Sequence, residues 1–180
     1  GMSQPEKISI QHILVSFDKT PVEAKRTRDE AETLALELFD AAKVSKDFTS
    51  LVREHTDDPV REEDENPGMY NLLNHDIKGE NFQEYMMTLN MRAGEKEEEL
   101  TKQMKAGDID QDTLVEQMNT FVETLRLEAD EAAPHLPHPR SAMVPAFGDV
   151  GFALEVGELG MAPYHDEASP FGWHIIKRIS

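Results

Sequence analysis

The 180-residue chain contains no cysteine. That excludes disulfides, a thiol nucleophile and a thiolate metal site. Basic residues are scarce: 18 Lys and Arg stand against 36 Asp and Glu, for a formal net charge of −18 at pH 7. Nucleic acid and anionic membrane surfaces are polyanions and repel such a chain, so neither is an expected partner. A basic or extended client segment suits it better. No apolar run approaches transmembrane length. The segment Met2-Ser3-Gln4-Pro5-Glu6-Lys7 lacks the basic start and apolar core of a signal peptide, so with Met2 as the start the expectation is a cytoplasmic protein. There is no internal repeat. What remains is 38% hydrophobic and 30% charged, long enough to bury a core as one domain or as one domain carrying an insertion.

Two strand-like stretches lie at the ends of the chain, and each carries a histidine among β-branched residues. Residues 8–17 include Ser9-Ile10-Gln11-His12-Ile13-Leu14-Val15, and residues 172–179 run Gly-Trp-His-Ile-Ile-Lys-Arg-Ile. In the second stretch, alternation puts Trp173, Ile175 and Lys177 on one side and His174, Ile176 and Arg178 on the other. The expectation is that the two strands lie side by side and that the histidines meet. By default, a lone strand histidine is a satisfied core residue.

Between the ends, a helix start is signalled twice, at Thr20-Pro21-Val22-Glu23 and at Thr27-Arg28-Asp29-Glu30. Ala31, Leu34, Ala35, Leu38, Ala41 and Ala42 follow on one helical face. Phe48, Leu51 and Val52 predict a short second helix. From Thr56 to Gly68 the pattern fails and a loop is expected, with Asp57-Asp58-Pro59 as a turn. Residues 69–75 suit a short turn or strand.

Residues 77–140 differ in kind: 14 Asp and Glu less 7 Lys and Arg give a net −7. Phe82, Tyr85, Met86 and Leu89 form one helical face; Leu114, Met118, Phe121, Val122 and Leu125 form another. A polar stretch, Ala93 to Thr101, lies between them. The prediction is a helical hairpin, with Met86, Met87, Met91 and Met104 packed in its core rather than forming a client-binding surface. The prolines around His135 and His138 predict an extended linker and argue against a metal at that histidine pair. A short helix is expected within Val144 to Leu154, and a short strand from Met161 to Tyr164.

The order His12-Ile13-Leu14-Val15, an amphipathic helix, Asp47-Phe48-Thr49-Ser50-Leu51, then Met143, Phe147, Phe152-Ala153-Leu154, Gly157-Glu158-Leu159 and Phe171-Gly172-Trp173-His174-Ile175-Ile176 resembles the parvulin family of peptidyl-prolyl cis-trans isomerases. The resemblance covers residues 8–58 and 141–179. It implies an α+β fold, a parvulin-like (FKBP-like) antiparallel four-stranded sheet wrapped by helices. Residues 8–76 and 141–180 would make one discontinuous domain, and 77–140 an α-helical insertion with no family counterpart. It also implies a site: His12 and His174 as paired central histidines, Asp58 beside them, Met143, Phe147 and Phe171 as the proline pocket, and Ser169 as a neighbouring hydroxyl. The family's Gly-Gly-Asp-Leu-Gly segment is replaced by Pro67-Gly68-Met69-Tyr70-Asn71. Lys25, Arg26 and Arg28 form a small basic cluster, but the long Arg-bearing loop of the family's phosphate-reading branch is missing, so no phosphate requirement is expected.

Rotation about Xaa-Pro makes and breaks no bond, so the expected reaction uses no cofactor, metal or nucleophile. The expected partners are proline-containing polypeptide segments, with the helical insertion as a further candidate partner-binding element. The rival expectation is a non-catalytic, chaperone-like binder of extended proline-containing segments.

Overall fold

A computed structural model describes residues 4–74 and 81–180. Met2, the last residues of the expected 69–75 strand and 8–76 domain, and the start of the expected insertion at 77–80 lie outside the described residues. The chain divides into two compact units, Gly1–Ile77 with His138–Ser180, and Lys78–Pro137.

The first unit is an α+β arrangement on a mixed five-stranded sheet of order β3-β2-β1-β5-β4. The strands are β1 (Lys7–Val15), β2 (Met69–Leu73), β3 (His138–Pro139), β4 (Leu159–Ala162) and β5 (Trp173–Arg178). The expected four antiparallel strands are β2, β1, β5 and β4, and the expectation is corrected by a fifth. β3 pairs parallel with β2, setting His138 against Leu72 and Pro139 against Leu73. Proline has no amide hydrogen to give a ladder, and an edge strand two residues long is where a sheet tolerates it.

The period-two pattern of β1 decides which face each residue serves. Ile13 and Val15 join Trp173 and Ile175 of β5 on one face. That face is covered by α1 (Arg28–Val44), through Ala31, Ala35, Leu38 and Ala42, and by α2 (Phe48–His55), through Phe48 and Val52. Small residues on α1 let it lie close over the bulky strand side chains. Full burial of each large apolar side chain here is worth roughly 1.5–3 kcal/mol.

Of the two helix starts, Thr27 is the one used. Its side chain accepts from the Glu30 amide while the Glu30 carboxylate accepts from the Thr27 amide. The Thr20 hydroxyl donates instead to the carbonyls of Phe17 and Val22, closing a turn.

On the other face, Ile8, Ile10, Leu72 and Ile176 pack against Ala146 and Phe147 of α5 (Pro145–Gly151) and against Phe152. His12 and His174 belong to this face. Cross-strand register pairs His12 with Ile176 and Leu14 with His174, so the two histidines are diagonal neighbours.

The second unit is a hairpin of α3 (Phe82–Lys105) and α4 (Gln111–Ala132), capped by Asn81 and Asp110. The polar stretch 93–101 is not a connection. It continues α3, with Leu100 buried and its charged residues turned outward. The reversal falls at 106–110, where Gly107 takes φ +84°. Met87 and Met91 are 58% and 65% exposed, so they do not form the packed core expected of them. Residues 133–135 make a 3-10 turn where an extended linker is expected. Among the described residues, no helix is long and apolar enough to cross a membrane.

Candidate active site

The loop after α2 is stitched onto β1. The Asp57 amide donates to the Leu14 carbonyl (2.8 Å), and the Thr56 hydroxyl accepts from the amides of Leu14 (3.1 Å) and Asp58 (3.2 Å). This fixes Asp58 opposite His12, one β-pleat along. Two residues back along the same edge of β1, the His12 amide donates to the Gly68 carbonyl (3.1 Å). Gly68 has φ +71°, and a Cβ there would stand 2.6 Å from the His12 carbonyl oxygen. Only glycine satisfies both limits. Pro67-Gly68-Met69 therefore keeps the one glycine this close approach requires, although the surrounding motif has changed.

A continuous polar line results. His12 Nε2 lies 3.2 Å from Asp58 Oδ2, and His12 Nδ1 lies 3.3 Å from His174 Nδ1. Tyr70 donates its hydroxyl to the same Asp58 Oδ2 at 3.0 Å. An ionised carboxylate only accepts, so it assigns Nε2–H to a neutral His12 and leaves Nδ1 as acceptor. His174 must then donate from its own Nδ1, and its Nε2 is a bare acceptor. Among the described residues that Nε2 is buried without a hydrogen-bond partner.

Burial, followed by the nearby His12 charge, pushes the His174 pKa down to about 3, against a smaller opposing pull from Asp58. His174 is therefore neutral at physiological pH. Burial raises the Asp58 pKa, but the hydrogen bonds from His12 and Tyr70 and the electrostatic pull of the two imidazoles together outweigh it, so the net shift is downward. Burial and the adjacent Asp58 raise that of Tyr70.

Phe147 closes over this line. Its ring meets His12 edge-on at 4.7 Å and His174 at 4.8 Å. Together with Met143, Phe171, Tyr70, Val22, Leu14, Ala142 and Val144, and with Asp58 at its edge, it encloses a cavity of about 320 Å³ floored by the two imidazoles. That volume is at the small end of ligand pockets, fit for one ring with its flanking backbone. Of the residues expected at the site, His12, Asp58, His174, Met143, Phe147 and Phe171 all line this one cavity.

Ser169 does not line it. It is fully buried, its hydroxyl donates to the Pro163 carbonyl, and its backbone exchanges hydrogen bonds with His165 (3.0 and 3.3 Å). Ser169 shapes the 163–172 loop, whose Ala168 carbonyl accepts from the Ala146 amide at the start of α5.

Five lining residues, Leu14, Val22, Tyr70, Ala142 and Val144, escaped the sequence reading. Tyr70 pairs with Ile10 across β1 and β2, which puts it on the face of His12. Reading 69–73 firmly as a strand would have placed it there. Val22 sits in a loop held by Arg26, which donates to Asp57 and to the Ser16 carbonyl (3.0 Å). In the basic cluster, Arg28 lies over the Tyr164 ring at 4.8 Å.

The family model described as the PPIC-type PPIASE domain matches residues 2–103, more than half of the chain. The matched span contains His12, Asp58 and Tyr70 and runs into α3. Met143, Phe147, Phe171 and His174 lie beyond it. A search of curated proteins finds no match to this chain.

Proposed function

Since the chain belongs to the PPIC-type PPIase family, the parvulin-type rotamases, and is a peptidyl-prolyl cis-trans isomerase, we propose that it turns Xaa-Pro bonds by drying the amide and clamping the proline ring in the cavity over His12 and His174. In this reading, residues 8–76 and 141–180 form the isomerase domain and 77–140 a helical insertion. The family's activity implies proline-containing peptide segments as substrates.

Amide resonance sets a barrier to rotation of about 18–20 kcal/mol. The transition state is a twisted amide with less charge separation than the planar one. A pocket that removes water therefore favours the twisted form over the ground state. Met143, Phe147 and Phe171 supply the apolar surface and grip the ring, with Met adapting to its shape. His12 and His174, locked in single tautomers, hold the floor rigid. Asp58, the one carboxylate among the described residues lining the cavity, stands beside the rotating amide and disfavours its planar, charge-separated form. No bond is made, so no metal, cofactor or nucleophile enters. The net charge of −18 disfavours nucleic acid and anionic membrane as partners.

The observation that carries this reading is the convergence of three apolar side chains, from the 142–147 segment and the loop before β5, on two hydrogen-bonded imidazoles. Exchange spectroscopy on a set of Xaa-Pro peptides tests it. The protein is expected to accelerate cis-trans exchange, and Phe147→Ala to lower kcat/KM by about tenfold or more, the order set by exposing one aromatic contact. Peptide binding with an unchanged exchange rate would replace it with the non-catalytic binder.

A further inference from the structure

One oxygen of the Asp58 carboxylate is shared by a histidine and a tyrosine. Tyr70 Oη and His12 Nε2 both bond Oδ2, at 3.0 and 3.2 Å, so Oδ1 receives neither. The Tyr70 ring is itself fixed from three sides. It meets His12 at 5.5 Å, Phe147 at 5.7 Å and, edge-on, His138 of β3 at 5.6 Å. A carboxylate on a turn can rotate about its terminal bond. Two donors at one oxygen, each on a separate strand, stop that rotation and hold the other oxygen in one direction.

We propose that Tyr70 is a positioning residue for the isomerisation. Its hydroxyl locks the Asp58 carboxylate so that Oδ1 faces the substrate amide, and its ring walls the proline pocket. This rests on the reading in which Asp58 acts on the amide. β3 takes part, because its pairing with β2 sets His138 edge-on against the Tyr70 ring. The ionisable groups around the carboxylate are His12 on β1, Tyr70 on β2, His174 on β5 and, behind Tyr70, His138 on β3. Its neighbour Asp57 is occupied by Arg26.

The test is the rate and pH profile of peptide exchange for the intact protein, Tyr70→Phe, Asp58→Ala and the double variant. Tyr70→Phe keeps the ring and removes only the donor. It is expected to lower kcat about tenfold with little change in KM, the order of one hydrogen bond to a charged group. Losing a donor that favours the carboxylate also moves the acid limb of the profile to higher pH. In the Asp58→Ala background, Tyr70→Phe should change nothing further, because the hydroxyl acts only through that carboxylate.

If Asp58→Ala turns over like the intact protein, the reading of Asp58 fails and this proposal with it. If Asp58→Ala is impaired but Tyr70→Phe is normal in rate and profile, Tyr70 is only packing, and the Asp58 reading stands. Should Tyr70→Phe not fold, carbon NMR of the intact protein decides. The Tyr70 ring carbons are expected to shift with Asp58 titration, and their silence overturns the proposal.

Discussion

Replacing His174 by leucine should flatten the pH dependence of folding stability. His174 is 2% exposed, and burial holds its pKa near 3, whereas the unfolded chain titrates near 6.5. Between those values the unfolded chain binds a proton that the folded one refuses. Stability from this group is therefore whole above pH 6.5 and is lost as pH falls toward 3. The slope is about 1.4 kcal/mol per pH unit, and the whole span reaches about 4–5 kcal/mol as an upper bound. Against a typical total of about 5–15 kcal/mol, this group alone removes much of the fold's margin by pH 4. Asp58 adds acid sensitivity of the same sign, but its depressed pKa places that loss below the carboxylate's ordinary value. The window from pH 4 to 6 therefore belongs mainly to histidine. Urea unfolding followed by Trp173, the only tryptophan and a buried one in the core on the opposite face of the sheet, reads the stability of this unit directly. Between pH 4 and 6, the curve of the intact protein should be steeper than that of His174→Leu by about 1.4 kcal/mol per pH unit. Parallel curves would mean that His174 accepts a proton in the folded state, and would refute the neutral tautomer chain.

Two further outcomes follow from the same geometry. Gly68→Ala forces a Cβ to 2.6 Å from the His12 carbonyl at φ +71°, and should cost about 2–4 kcal/mol of stability by urea unfolding. Arg26→Ala removes the donor that ties Asp57 and the Ser16 carbonyl to the Val22 loop. It should raise KM more than it lowers kcat in peptide exchange, with about 1–2 kcal/mol lost in stability because the pair is only partly buried.

The central strands and the meeting of His12 with His174 were legible because both stretches are rich in β-branched and aromatic residues, and side chains in a strand alternate between faces, so each strand places its one imidazole on a defined face. Met143 and Phe147 came from family likeness rather than periodicity, since a seven-residue helix such as α5 carries too little pattern to orient a side chain. Tyr70 was hidden because β2 is short and its motif had changed, so nothing in the sequence stated its register against β1. β3 was unreadable in principle: two residues, one of them proline, look like linker until a neighbouring strand offers them hydrogen bonds. Ser169 shows the converse limit. Its place in the chain is as expected, but the direction of a hydroxyl depends on which carbonyl is nearest, and here that is Pro163. In α3, the acidic residues Glu95, Glu97, Glu98 and Glu99 form the solvated face that the sequence suggests. Charge on the exposed side of a helix is compatible with its continuing.

The most direct measurement is the set of intermolecular NOEs from the ring protons of a bound Ala-Pro peptide. The account predicts contacts to the Met143 methyl and to the rings of Phe147 and Phe171. Contacts to the exposed Met87 and Met91 instead, while exchange is still accelerated, would contradict it.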